Sequence, residues 1–144
     1  MKGDKEINKR SDCPISHSLD LLGDKWTLLI MRDMLFAGKT TYGDFFNSDE
    51  QIATNILANR LQTLTQHGFI SKTVASDPKS RFTYALTEKG ISLLPILVEL
   101  SLWGAKYSTD EVNTALPDVF KKDKEKSIRE FTKVLKKKVS SESL

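Results

Sequence analysis

A run of uncharged polar side chains in the stretch IATNILANRLQTLTQHGF, residues 52–69, suits recognition by hydrogen bonding. At about 100° per residue, a helix here places Ile56, Leu57, Leu61 and Leu64 on one side. The opposite side carries Thr54, Asn55, Ala58, Asn59, Gln62 and Thr65. Each Asn or Gln amide offers a donor and an acceptor together, as pairing with the edge of a base requires. This face is a candidate for reading a nucleic acid, and a plain solvated face is the alternative.

A second candidate for chemistry is Cys13, the only cysteine in the chain. It stands before Pro14, which suits the first turn of a helix, so the helix dipole favours the thiolate, with His17 one turn later as a proton acceptor. The negative charge of Asp12 opposes this effect. Two interpretations stand side by side: a redox-sensitive thiol, or a small apolar residue that closes a helix start near a dimer interface. Oxidation would yield an intersubunit disulfide, a mixed disulfide or an adduct.

Metal binding and catalysis find little support in the residue pattern. Cys13 and His17 supply only two ligands, and no spaced pair of histidines or cysteines completes a site. The sequence lacks a nucleophile elbow, a phosphate-binding glycine loop and an HExxH motif. We expect no metal, no cofactor and no enzymatic activity, and a thiol enzyme ranks last among the functions considered.

The bulk composition predicts one soluble domain, since the chain has 144 residues, of which 39% are hydrophobic. Residues 13–116 hold nine Lys/Arg against eleven Asp/Glu, whereas residues 121–138 hold nine against three. The net charge of +3 therefore resides in the tails and does not identify a nucleic-acid-binding protein. No apolar run reaches the roughly 18 residues of a membrane helix. The charged start MKGDKEINKR has no signal core, so a cytoplasmic protein without membrane contact is expected.

The order of predicted elements is that of a winged helix-turn-helix. Helix signals predict helices over residues 14–22, 25–36 and 42–46, the second capped by Asp24 and the third by Thr40 or Thr41, before the polar helix that Gly68 ends. Alternating runs FISKTVA and RFTYALT flank SDPKS, which predicts a β-hairpin. The predicted class is α+β, mostly α, with additional N- and C-terminal dimerisation helices. In such a fold the polar helix enters the major groove, and the hairpin tip contacts backbone or minor groove through Lys79, Ser80 and Arg81.

The helix after the hairpin predicts a homodimer. Between Ile91 and Trp103 nine of thirteen residues are apolar and occupy more than one face, which a small domain cannot bury alone. Pro95 should kink this helix or delay its start. The residues assigned to dimerisation are Leu94, Leu97, Leu100 and Trp103.

A single amphipathic, basic helix is expected beyond Pro117, packed on its own subunit or on its partner. The residues that recur there at helical intervals are Phe120, Lys124, Ile128, Phe131 and Leu135, all apolar except Lys124. The expected organisation is an N-terminal arm over residues 1–12, a winged domain with its dimerisation helix over 13–107, and a C-terminal helix with a frayed tail over 108–144.

Five segments together resemble one protein family: CPISHSLDLLGDKWTLLIMRDML, GKTTYGDFF, ILANRLQTLTQHGFI, YALTEKG and LLPILVELSLWG. In this order they resemble HxlR-type bacterial transcriptional regulators, which are relatives of the MarR-like winged-helix proteins. The resemblance implies a homodimer that binds double-stranded DNA at a partly palindromic operator and responds to an oxidant or a small molecule. Family members with a cysteine matching Cys13 include sensors of oxidants and electrophiles. A winged-helix module that binds protein without reading DNA is the alternative function.

Three residues of the helix-turn-helix need separate comment. Thr41 and Asn55, both assigned to DNA binding, stand where the family usually has basic residues, which reduces the phosphate contacts expected around the motif. By helical angle Arg60 lies within the apolar arc. It is expected to tether the helix to an acidic neighbour such as Asp44 or to a phosphate, and base reading is the less favoured role.

Overall fold

The computed structural model describes residues 9–76, 81–108 and 112–142, and it divides the chain into two units that meet after Gly90. The elements of the first unit are α1 (Pro14–Leu22), α2 (Lys25–Ala37), α3 (Tyr42–Phe46), α4 (Thr54–Gln66), β1 (Ile70–Val74) and β2 (Phe82–Leu86). A short helix, α5 (Glu88–Ile91), follows at the junction. The predicted class, mostly helical with a small antiparallel hairpin in a winged-helix arrangement, is confirmed.

Side-chain caps define where α2 and α3 begin. The Asp24 carboxylate accepts hydrogen bonds from the Trp26 and Thr27 N–H groups at the start of α2. Thr41 caps α3 in a capping box with Asp44, so of the two threonines considered it is Thr41 that serves. Gly38 ends α2 in the left-handed conformation with φ 64°, which glycine adopts without strain.

The core of the first unit lies between α2 and the apolar side of α4. Its buried hydrophobic residues include Ile30, Met31, Met34, Leu35, Phe45, Leu57, Leu61 and Leu64. Burying this many aliphatic and aromatic side chains is the main favourable contribution to folding, at roughly 1.5–3 kcal/mol for each large side chain. Because three leucines of α4 are in this core, the opposite side of α4 must face solvent.

The hairpin is joined to the helices by backbone hydrogen bonds and a close glycine contact. β1 and β2 pair antiparallel, with Ile70 opposite Leu86, and the Tyr84 N–H donates to the Thr40 carbonyl at 2.8 Å. A Cβ at Gly90 would stand 2.2 Å from the Phe69 carbonyl oxygen, so only glycine fits there. Thr87 accepts a hydrogen bond from the Gly90 N–H.

The second unit contains α6 (Leu94–Tyr107), α7 (Ala115–Lys121) and α8 (Lys124–Glu142). Pro95 lies in the first turn of α6. Of the two effects predicted for it, a kink or a delayed helix start, it has the second. The prediction of one helix beyond Pro117 is wrong, because the helix is interrupted at Lys122 and Asp123, which separate α7 from α8. There the Asp123 carboxylate accepts from the Lys126 N–H and begins α8.

Phe120 and Leu135 are buried in this unit, and the rings of Phe120 and Phe131 lie 5.9 Å apart.

Within the described ranges, no helix has both the length and the apolar character needed to cross a membrane.

Candidate nucleic-acid interface

The polar side of α4 is exposed along the whole helix. Thr54, Asn55, Ala58, Asn59 and Gln62 are all exposed, whereas Leu57, Leu61 and Leu64 on the other side are at most 2% exposed. Thr65 differs from the expectation, because it is half-buried and its hydroxyl donates to the Leu61 carbonyl at 2.8 Å. We name the five exposed residues the polar face of α4.

Arg60 connects the polar face of α4 to the start of α2. Its Nη2 donates to Asp24 Oδ2 at 2.7 Å, and its Nη1 donates to Asn59 Oδ1 at 2.6 Å. Asp44, the acidic neighbour named from sequence, instead accepts from the Thr41 N–H in the capping box of α3. Asp24 therefore has two tasks, since one oxygen caps α2 and the other holds Arg60.

This arrangement lowers the pKa of Asp24 below its ordinary value, chiefly through the hydrogen bond from Arg60, with smaller contributions from the Trp26 and Thr27 N–H groups. Partial burial acts in the opposite direction and is outweighed. The side chains of Arg60 and Asp24 are 29% and 34% exposed, so solvent screens the pair only in part. The Asn59 amide is thereby oriented, with its oxygen toward Arg60.

A second set of contacts holds the turn between α3 and α4. Arg32 forms a two-pronged ion pair with Glu50, at 2.6 and 2.8 Å. The Ser48 hydroxyl donates to the buried Asp33 carboxylate, and Lys39 donates to Ser48 at 2.8 Å. We call Arg32, Asp33, Lys39, Ser48 and Glu50 the turn clamp. Arg32 is the main cause of a lowered pKa at Glu50, and α2 thus determines where α4 begins.

The first turn of α4 is open. The helix begins at Thr54, two residues later than the apolar pattern at Ile52 suggests, and its N-cap Ala53 has no side chain that accepts a hydrogen bond. Its first N–H groups are therefore available to an external acceptor. Tyr42 supports this end of the helix through a hydrogen bond from its hydroxyl to the Thr54 carbonyl at 3.0 Å. Thr41 is half-buried, and its hydroxyl accepts from the Asp44 N–H.

The hairpin carries exposed basic side chains. Arg81 is exposed at the start of β2, and the predicted contacts Lys79 and Ser80 lie outside the described residues. Sequence analysis missed Lys72, an exposed residue of β1 whose ammonium lies 3.9 Å from the centre of the Phe82 ring. Alternation of apolar and polar residues along β1 does not distinguish Lys72 from its neighbours, because every residue of β1 after Ile70 is exposed.

Cys13 is exposed at the N-cap of α1, and its N–H is bonded to the Ser11 hydroxyl. His17 is also exposed, and its backbone N–H donates to the Cys13 carbonyl at 3.0 Å. The carboxylate of Asp12 is paired with Lys9 at 2.8 Å, which offsets the negative charge that Asp12 brings to the thiol.

The four residues assigned to dimerisation separate into two pairs. Leu94 is 0% exposed and Leu97 is 7% exposed within the single chain, so neither is free to meet a partner. Leu100 and Trp103 remain 49% and 67% exposed. Together with Ile96 they line an apolar groove of about 740 Å³ on α6. Of the four residues assigned to dimerisation, only Leu100 and Trp103 are therefore available to a partner.

Comparison with known proteins points to one class. The family described as HxlR-like helix-turn-helix matches residues 21–113. The HTH-type transcriptional regulator sll1512 of Synechocystis sp. is 33% identical over 99 residues, which are 69% of this chain and 73% of that protein. Among solved structures, the putative transcription factor PA1607 is 41% identical, with a TM-score of 0.64 and 73% of each chain covered. The redox regulator HypR in its oxidized form is 28% identical, with a TM-score of 0.61, 68% of this chain and 100% of that chain covered.

The contact between Asp24 and Arg60 predicts a pH-dependent stability. Because the pKa of Asp24 is lowered on folding, the ionised carboxylate stabilises the protein above the unfolded pKa of about 3.9, and this stabilisation is lost as pH falls through the folded pKa. Asp24→Asn keeps a capping side chain and removes the charge. It should lower the free energy of unfolding at pH 7 by up to about 1 kcal/mol, measured by urea denaturation.

The difference between wild type and Asp24→Asn should shrink below about pH 4. Asp49→Asn, at an exposed position near the turn, is the matched control and should leave the urea midpoint at pH 7 unchanged. If the free energy of unfolding of Asp24→Asn stays below that of wild type by a constant amount down to pH 3, the charge of Asp24 contributes nothing and only the shape of its side chain matters.

Proposed function

This chain belongs to the HxlR-like helix-turn-helix family of transcriptional regulators, and we propose that it recognises a specific operator in double-stranded DNA as a homodimer. The polar face of α4 carries this proposal. It is exposed and uncharged, the leucines on the other side of α4 are buried in the core, and Arg60 at its edge is held by Asp24. A face of amides and hydroxyls held by a rigid support suits base readout in the major groove.

Within the polar face, Asn55 and Asn59 are the proposed base-reading residues. An Asn amide pairs in two-pronged fashion with adenine, donating to N7 and accepting from the N6 amino group. Asn59 Oδ1 accepts one hydrogen bond from Arg60, and a carbonyl oxygen has a second lone pair for the base. The amide nitrogen keeps both of its donors for the groove. Thr54, Ala58 and Gln62 complete the proposed reading surface, and Thr41 supports it from α3.

Phosphate contacts are proposed at two places around this surface. The open first turn of α4 offers N–H groups to a phosphate oxygen, as helix starts do for many anions. The hairpin supplies Lys72 and Arg81, together with Lys79 and Ser80 from its tip, toward the adjacent backbone or minor groove. These contacts position the protein on the duplex and leave specificity to the polar face of α4.

The exposed apolar face of α6 is the proposed dimer interface. Ile96, Leu100, Trp103 and Tyr107 are 43–67% exposed, which is costly for large apolar side chains in water. A second copy of the chain is the occupant that suits a regulator of partly palindromic DNA, because a two-fold axis pairs the same groove on both copies. Ile15 and Leu19 of α1 are exposed as well and are proposed as a separate apolar contact with the second copy.

Cys13 is the proposed receiver of an oxidant signal. HypR is named a redox regulator, and the thiol of Cys13 is exposed and therefore accessible to oxidants. Two Cys13 thiols, one from each protomer, release two protons and two electrons to hydrogen peroxide and yield one intersubunit disulfide and two waters. The disulfide would require the two Cα atoms to come within roughly 7 Å, which would change the spacing of the two α4 helices.

Alanine at Asn55 or Asn59 should reduce discrimination between a site selected from a randomised duplex library and random DNA by about 1–3 kcal/mol for each two-pronged contact. Fluorescence anisotropy with both duplexes measures this. Gln66→Ala, an exposed amide in the last turn of α4, is the control and should keep wild-type discrimination. Equal weakening on both duplexes would contradict base readout. A selection that enriches no sequence would favour the protein-binding module.

Leu100→Glu should convert the dimer to monomer, because it introduces a charge into the groove of α6. Analytical ultracentrifugation measures the assembly, and the monomer should lose cooperative binding to half-sites about one DNA turn, roughly 34 Å, apart. Val119→Glu changes an exposed valine of α7 in the same way and should remain dimeric. A dimeric Leu100→Glu together with a monomeric Val119→Glu would move the interface to α7.

Hydrogen peroxide should change operator affinity in wild type and leave Cys13→Ser unaffected. Non-reducing electrophoresis should show a cross-linked dimer in wild type only, and dithiothreitol should reverse both effects, because a disulfide is reducible. The redox proposal fails if wild type and Cys13→Ser lose affinity equally, or if cross-linking leaves binding unchanged.

A further inference from the structure

The solvent side of α8 carries five basic residues in one row. At about 100° per residue, Ile128, Phe131 and Leu135 lie on the side of α8 that is buried or half-buried. The exposed charged residues on the opposite side are Lys126, Arg129, Glu130, Lys133, Lys136 and Lys137. We call the five basic ones the basic ridge. From Lys126 to Lys137 the ridge is about 16 Å long at 1.5 Å per residue.

The cations of the ridge form no ion pair with the described residues, in contrast to two neighbouring lysines. Lys121 pairs with Asp118 and Lys124 pairs with Glu99. In the described part of the chain, none of the five ridge residues comes within 4.0 Å of a carboxylate. Arg129, Lys133 and Lys137 follow one another at intervals of four residues, which places like charges side by side and destabilises the helix. Glu130 is the acidic residue on the same side of α8, so the five cations of the ridge leave an excess of positive charge that an anion would relieve.

The helix-turn-helix has the opposite charge balance. Residues 41–68 contain one basic residue, Arg60, against Asp44, Asp49 and Glu50. Arg60 is already paired with Asp24. Because duplex DNA carries one negative charge per roughly 1.7 Å, a regulator with an acidic reading motif needs cations from elsewhere in the chain.

We propose that the basic ridge of α8 binds phosphates of the DNA backbone and reads no base. The inference rests on the proposed function, and it assigns to α8 a sequence-independent share of the affinity. Lysine ammonium groups act as point charges toward phosphates, and the ridge has no amide or aromatic side chain that would select a base. The observations favour DNA over a lipid surface, because a helix that lies on a membrane needs a broad exposed apolar face. On α8 the apolar side is turned inward, with Leu135 only 7% exposed.

The test compares two double variants of the full chain that lose the same charge. Lys133→Gln with Lys137→Gln removes two ridge cations, and Lys122→Gln with Lys138→Gln removes two exposed cations outside the ridge. Affinity for random duplex and for the selected site is measured between about 50 and 200 mM salt, where counterion release is resolved. The ridge variant should show a salt slope shallower by about two ions per protomer, with the preference for the selected site unchanged. The control should keep the wild-type slope.

Circular dichroism of the ridge variant should show wild-type helicity, since the substitutions remove like-charge repulsion. A wild-type salt slope in the ridge variant would overturn the proposal, as would an equal change in the control, which would indicate net charge alone. Vesicles of phosphatidylglycerol and phosphatidylcholine form a further arm. Ridge-dependent sedimentation with these vesicles and an unchanged DNA slope would assign the ridge to lipid. A wild type without preference for any selected site would refute the proposed function, while the difference in slope would still report on the ridge.

Discussion

The contact between Asp24 and Arg60 is the constraint on which the reading geometry depends. One carboxylate begins α2 and holds the guanidinium of Arg60, so a single side chain joins the start of α2 to the helix that carries the polar face. Arg60 passes this restraint to the Asn59 amide. A long, charged side chain at the edge of an apolar arc serves here as a connector, because both of its terminal nitrogens have defined acceptors.

The turn clamp complements this contact at the other end of α2. Arg32 and Asp33 hold Glu50 and Ser48, and the backbone reaches Gln51 with φ 57°, a conformation that non-glycine residues adopt at a cost. Such contacts reduce the freedom of α4 before any ligand binds. Preorganisation of this kind lowers the entropy cost of association.

Charge and hydrogen bonding are largely separated along the chain. The helix-turn-helix has amides and hydroxyls with an acidic balance, whereas α8 carries the five cations of the basic ridge, none of which forms an ion pair with the described residues. Amide contacts discriminate between bases over short distances, and cations attract any phosphate over a Debye length of about 8–10 Å. A regulator built in this way can adjust affinity and specificity through different residues.

Local rules in the sequence determined the helix starts, the hairpin and the polar face, because caps, glycines and periodicity act within a few residues. Neighbouring residues alone predicted Asp24 as a cap, Thr40 or Thr41 as the next cap, and a kink or a delayed start at Pro95; the structure selects Thr41 and the delayed start. Only the tertiary structure decided the partner of Arg60 and which leucines of α6 are buried. Asp24 lies 36 positions from Arg60, and periodicity alone does not tell which of two apolar sides the same chain buries. Leu94 and Leu97 are buried while Leu100 and Trp103 stay exposed, since this choice depends on which other elements pack against the helix.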